Sequence, residues 1–367
     1  MGYTVVKGGL LWQKDHFVRN EEYCLQTDGP DSQLVLGEED LITPGIIDFH
    51  LHLWSPATRT PFGVPAEQMF AQGVIGGLDA GSFGADNWDV ADRFWSNAGP
   101  LKVKSFASIL PEGLAVFPPV DPPRPENLDV EDMIRKINEK KNENFLGIKI
   151  QLGWLSYKDE ETDREMIRQA RYMADRTGTR IMVHISGTYM QMDELMSFFR
   201  KGDIITHLYS GFKNTILQED GTVHPAVWEA AKRGVLLDVG HAGKHFSWEV
   251  FRKAYAQGLG FDTLGGDITI NSWKNMEKFR IYDQLHLIAG MENAGVPRDE
   301  VFRAVITNPA EYLGIGTDLK DHCLILRKVP GNRPLGDGQG QEVICRFEYE
   351  PAVFVNNHKV IYKKEEK

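Results

Sequence analysis

His50 and His52 stand two residues apart in the run Thr43-Pro44-Gly45-Ile46-Ile47-Asp48-Phe49-His50-Leu51-His52. Residues two apart on a strand point the same way, so Asp48, His50 and His52 share one side. Two imidazoles on one side of a strand end can hold a divalent metal ion through their ring nitrogens. A polar strand face with two satisfied histidines is the ordinary alternative, and the pair alone does not decide between them. Other apolar segments end in ionisable residues as well: Leu78-Asp79, Ile181-Met182-Val183-His184, Ile204-Ile205-Thr206-His207 and Gly265-Gly266-Asp267. Lys149 lies inside Gly147-Ile148-Lys149-Ile150-Gln151, and Asp238-Val239-Gly240-His241 closes a further segment. Four of the eleven histidines at such ends outweigh the ordinary reading of any one of them.

The elements that must position these residues alternate. Apolar strands are expected at 46–53, 74–79, 103–109, 147–152, 180–185, 203–208, 235–239 and 263–267. Amphipathic helices are expected between them at 130–141, 163–177, 192–200, 225–232 and 248–257, with another at 283–294. Repeated strand–helix units of this number and length predict a (β/α)8 TIM barrel, whose functional side chains sit at the C-terminal strand ends. A doubly wound open sheet is disfavoured, because no glycine-rich phosphate loop follows the first strand. Pro44-Gly45 marks the entry to the barrel. Short strands and turns before and after it predict a small discontinuous β-sandwich domain built from both termini, giving 1–43, 44–317 and 318–367 as the divisions. Residues 330–340, rich in glycine and proline, read as a loop.

Composition narrows the function. Lys plus Arg is 41 and Asp plus Glu is 52, a net charge of −11, which disfavours nucleic-acid and anionic-membrane partners. A small-molecule substrate and a homo-oligomeric assembly are expected. The three cysteines have no metal-type spacing, and no signal peptide or membrane span is legible, so a cytoplasmic setting is expected. Any metal site must then use His, carboxylate or lysine-derived ligands.

Taken together, these residues resemble the amidohydrolase superfamily of metal-dependent hydrolases. The resemblance is carried by Pro44-Gly45-x-x-Asp48-x-His50-x-His52, the fourth-strand Lys149, the strand-end His184 and His207, and Asp267 on the eighth. Asp79-Ala80-Gly81-Ser82-Phe83-Gly84-Ala85, Leu237-Asp238-Val239-Gly240-His241 and Thr307-Asn308-Pro309-Ala310 are similar to the amidohydrolase/deacetylase, dihydroorotase-like branch.

The resemblance implies two divalent metal ions. His50, His52 and Asp267 would hold the more buried one and His184 and His207 the more exposed one. Lys149, carboxylated by CO2, would bridge both, since an unmodified ammonium would repel the cations. The imidazole-rich set favours Zn2+, and Mn2+, Co2+ or Fe2+ also fit. The implied reaction is attack of a metal-bridging hydroxide on an amide, cyclic amide or ester of a small molecule, with Asp267 as proton shuttle. His241 is a catalytic and substrate-binding candidate, and Tyr209 and Asn214 are substrate-binding candidates. Lys213, Trp54 and Trp154 also lie just beyond strand ends, and Asp48 is expected to orient the histidines. Two alternatives are a mononuclear deaminase of the same superfamily and a non-enzymatic scaffold relative. The first needs a Glu near the fifth-strand His, but His184 is followed by Ile185-Ser186-Gly187. The second would have lost ligands that this chain keeps.

Overall fold

The computed structural model describes residues 1–54, 62–116, 124–153 and 156–364. Seven parallel strands lie side by side in chain order: Ile46–Leu51, Val74–Gly84, Lys102–Ser108, Phe145–Gln151, Arg180–His184, Ile204–Thr206 and Leu236–Leu237. Every residue of the first two is buried, as strands covered on both faces must be. The sheet curls until Asp238 bridges Thr263 and Leu51 bridges Ile268, both in parallel sense. Eight positions thus complete the (β/α)8 barrel expected from the alternation.

The eighth position is not the regular strand that was expected at 263–267. The Gly265 and Gly266 N–H groups donate to the carboxylates of Asp238 and Asp48 instead of to a ladder, and Asp267 turns to φ 47°. Side-chain acceptors thus replace the neighbouring backbone there.

Helices cover the outside. Glu160–Thr177 starts where the Asp159 carboxylate accepts from Thr162 N–H and ends at Gly178 with φ 66°. Its apolar stripe, Met166, Ile167, Ala170, Met173 and Ala174, is buried. Asp163 on the same helix accepts from Gly153 N–H, Thr188 Oγ1–H and Tyr189 N–H, tying together the loops after the fourth and fifth strands.

Strands from both termini form a six-stranded sheet in the order Lys359–Lys363, Phe347–Asn356, His322–Pro330, Leu41–Thr43, Leu10–Gln13 and His16–Arg19. A three-stranded sheet of Glu22–Thr27, Gly2–Lys7 and Ser32–Val35 shares a core with it through Val6, Leu25, Ile42, Ile325 and Val355. The supposed loop at 330–340 contains a strand, Pro334–Gly336, paired with Glu342–Ile344. Burying Leu335 and fixing Asp337 on the Trp248 N–H outweighs the local turn chemistry. Among the described residues, no helix is long and apolar enough to cross a membrane.

Candidate active site

At the C-terminal mouth of the barrel, the strand-end residues converge on a cavity of about 330 Å3. His50, His52, Lys149, His184, His207 and Asp267 all line it. Asp267 Oδ1 lies 3.2 Å from His52 Nε2 and 3.6 Å from His50 Nε2, and Oδ2 lies 3.8 Å from His207 Nε2. Ligand atoms of His50, His52 and Asp267 fall within 4.8 Å of one another, the spacing one cation requires. His50 Nε2 is buried with no hydrogen-bond partner among the described residues, which suits a nitrogen kept for a metal. The His184 and His207 rings are 4.1 Å apart between centroids. His207 and Asp267 both adopt positive φ, 60° and 47°, a conformation held only where the surroundings enforce it.

The hydrogen bonds behind the rings settle which nitrogen faces the cluster. Thr206 Oγ1–H donates to Asp238 Oδ2 at 2.7 Å, so Thr206 Oγ1 accepts the His50 Nδ1–H at 2.8 Å. Ser82 Oγ–H donates to Asp79 Oδ2 at 2.8 Å, so Ser82 Oγ accepts the His52 Nδ1–H at 3.0 Å. His207 Nδ1–H donates to the Gly240 carbonyl at 2.5 Å. All three rings therefore present a bare Nε2. His184 is reversed: its Nε2–H donates to the Ser186 carbonyl at 3.3 Å, leaving Nδ1 bare. Burial drives the His50, His184 and His207 imidazoles well below their ordinary pKa, which keeps them neutral and able to ligate.

Lys149 is 7% exposed, and burial lowers its amine to about 8. Its amine makes no hydrogen bond or ion pair among the described residues. Gly81 gives it room: a Cβ there would sit 2.7 Å from Lys149 Cβ, at a backbone φ of +87°. Gly81→Ala is therefore expected to displace Lys149 and lower metal content and turnover together, by about 10–100-fold in affinity. Inductively coupled plasma analysis beside an activity assay checks it; unchanged metal content would refute the packing role.

Several expectations need correction. Asp48 does not reach a ring; its Oδ1 accepts from His50 N–H and Gly266 N–H, joining the first strand to the eighth position. Asp238 and Asp79 orient the rings in its place, through Thr206 and Ser82. Tyr209 is buried, its hydroxyl donating to the Leu259 and Gly260 carbonyls, and Asn214 donates to the Thr188 carbonyl. Neither lines the cavity, nor do Lys213 and Trp54, while Trp154 lies outside the described residues. His241 is fully buried behind the site, stacked 4.5 Å from Phe246, with Nδ1 accepting from Gly243 N–H. The seventh-strand loop sends His245 to the cavity instead, with its ring 4.6 Å from those of His184 and His207. From the sequence, His245 reads as a loop residue with a smaller claim on the substrate than His241.

Burial, reinforced by His286, drives His241 down to about 3. In the unfolded chain a histidine titrates near ~6.5, so below that pH the unfolded state binds a proton that the folded state refuses. Stability from this group is lost as pH falls below ~6.5, by about 2 kcal/mol at pH 5. His241→Gln should remove that penalty, so its stability relative to wild type should improve by about that amount between pH 7 and pH 5. Urea unfolding of both proteins at the two pH values tests this, and a pH-independent difference would contradict it.

No family model matches the chain. Curated relatives do. A deacetylase of Agrobacterium fabrum is 25% identical over 287 residues, covering 77% of this chain and 68% of that one. A deacetylase of Enterococcus faecalis is 25% identical over 277 residues, covering 74% and 71%. Among solved structures, a dihydroorotase superposes with a TM-score of 0.81 at 20% identity, covering 99% of this chain and 98% of that one. The chain is similar in sequence to these deacetylases and shares the barrel fold of the dihydroorotase. An adenine deaminase shares the fold of this chain with a TM-score of 0.79 at 19% identity, covering 98% of this chain and 99% of that one. The barrel fold explains why residues from the first, fourth, fifth, sixth and eighth positions meet at one mouth.

Proposed function

We propose that this protein is a binuclear metal-dependent hydrolase of the amidohydrolase superfamily that cleaves an amide, cyclic amide or ester of a small molecule. One observation carries the binuclear reading: Lys149, a buried amine without a partner among the described residues, lines the same cavity as His50, His52 and Asp267 and the His184–His207 pair. His50, His52 and Asp267 would hold one divalent ion, and His184 and His207 the other. Lys149 would be the ligand shared by both. An amine lowered to about 8 is substantially neutral near that pH, and a neutral amine adds CO2 to give a carbamate and a proton. That exchange turns a repelling ammonium into an anion with two oxygens. When bound, such ions supply Lewis-acid polarisation of a carbonyl and acidify water. Zn2+ is the choice that the imidazole-rich set favours.

The chain's own groups do the rest. Asp267 takes the proton of the attacking water and delivers it to the departing amine or alcohol. The apolar wall of Phe62, Ile109, Leu110 and Leu114 excludes water from an acyl group. Lys244, at the cavity and in no ion pair among the described residues, would meet a carboxylate on the substrate. The deacetylase names of the curated relatives favour an N-acyl or O-acyl compound as the first substrate class to test. The deaminase alternative uses one metal and does not need Lys149.

Metal analysis after expression in zinc-supplemented medium tests the reading, with screening of N-acetyl, N-carbamoyl, lactone and cyclic imide compounds. Two ions per chain and hydrolysis within the panel are expected. One ion with ammonia release from an aminopurine or aminopyrimidine would favour the deaminase, and metal below one per chain would count against both.

A further inference from the structure

His245 lies in the loop after the seventh strand, is 3% exposed and lines the cavity. Its Nδ1 is 2.8 Å from Ser186 Oγ, and Ser186 Oγ is 2.9 Å from Ser210 Oγ. Ser210 Oγ also accepts from the Phe212 N–H. Ser186 and Ser210 are both buried and find no other hydroxyl acceptor among the described residues. Two hydroxyl protons must therefore be housed in two contacts. Only one arrangement does this: Ser210 donates to Ser186, and Ser186 donates to His245 Nδ1. Any arrangement with a proton on Nδ1 leaves one buried hydroxyl unmatched, and an unmatched buried donor carries its full desolvation penalty.

His245 is thereby held with its proton on Nε2. That is the reverse of His50, His52 and His207, which keep the proton on Nδ1 and offer a bare Nε2. Those are ligand tautomers; His245 is in a donor tautomer. Its Nε2 has no protein partner among the described residues and is not sealed from the cavity as His50 Nε2 is. Ser186 sets both neighbouring rings, its hydroxyl fixing His245 and its carbonyl accepting from His184 Nε2–H.

We propose that His245 is a catalytic residue whose Nε2–H donates a hydrogen bond to the substrate's carbonyl oxygen, with Ser186 and Ser210 as the positioning residues that hold this tautomer. The inference rests on the hydrolytic reading given above and deepens it. As the carbonyl carbon is attacked, charge grows on that oxygen, and a donor already aimed there stabilises the transition state more than the ground state. The proton stays on Nε2 throughout.

The test uses full-length, zinc-loaded protein with 15N-labelled histidine and long-range proton–nitrogen correlation spectra. His245, assigned by its absence in H245Q, should show a protonated Nε2 and a bare Nδ1, and S186A should relax that preference. H245A should lower kcat for the N-acetylated amino acid that wild type turns over fastest by roughly 10²–10³-fold. Metal content should stay at the wild-type level, with KM within a few fold. H245Q, which retains an N–H donor, should recover part of the loss. A proton on Nδ1, a metal-bound Nε2, metal loss in H245A or an unchanged kcat would each overturn the proposal. Absence of turnover by wild type across the panel would instead defeat the hydrolytic reading, while the spectra still decide the tautomer.

Discussion

Lys149→Ala is expected to lower turnover by more than about a thousandfold and to empty at least one metal position. Metal ions contribute several kcal/mol of charge stabilisation, and each ~1.4 kcal/mol is a factor of ten in rate. The change removes the proposed shared ligand and leaves a space at the cavity wall where the side chain lay. Formate, acetate or propionate should occupy that space, supply two oxygens and restore part of the activity. Lys149→Met, which keeps bulk and removes the amine, should be as inactive and should not respond to the acids. Activity and metal content measured with and without added carboxylates distinguish these outcomes. Wild-type turnover in Lys149→Ala would end the binuclear reading, because that reading makes Lys149 the ligand shared by the two sets.

Asp267→Asn is expected to behave differently. An amide oxygen can still ligate, so metal content should be largely retained. The amide cannot carry a proton from the attacking water to the leaving group, and general acid–base groups contribute about 10²–10⁴-fold. The loss should fall on kcat rather than on KM, because the interaction is used in the transition state. The acidic limb of the pH–rate profile should change with it. Normal kcat in Asp267→Asn would remove Asp267 from the proton-transfer role and leave it as a ligand alone.

These residues could be selected from the sequence because side chains at strand ends obey a period of two. His50 and His52 had to leave one face together, and repeated strand–helix units had to bring the strand ends to one mouth. The barrel and the cluster of Lys149, His184, His207 and Asp267 therefore followed from spacing and residue type, together with the family resemblance those positions carry. The eighth position was less legible. Its Gly265 and Gly266 N–H groups go to Asp238 and Asp48, distant residues that no local pattern connects.

The orienting groups were hidden for the same reason. Thr206 and Asp238 act on His50 from strands far along the chain, and Ser82 relays Asp79 to His52. Asp48, the neighbour in sequence, serves the backbone instead.

His241 and His245 show where sequence reasoning stopped. Both lie in one short loop, and composition favours neither. Gly240, Ala242 and Gly243 all take positive φ, so no helix or strand periodicity aims the side chains. The path of the loop is set from outside it: Gly338 N–H donates to the Phe246 carbonyl, and the Asp337 carboxylate accepts from Trp248 N–H. The sequence determined the barrel and which residue types end its strands, because pleat and hydrophobic period are local properties. Only the tertiary structure decided that His245 enters the cavity while His241 is buried behind it, because contacts from a distant hairpin steer a loop that has no period of its own.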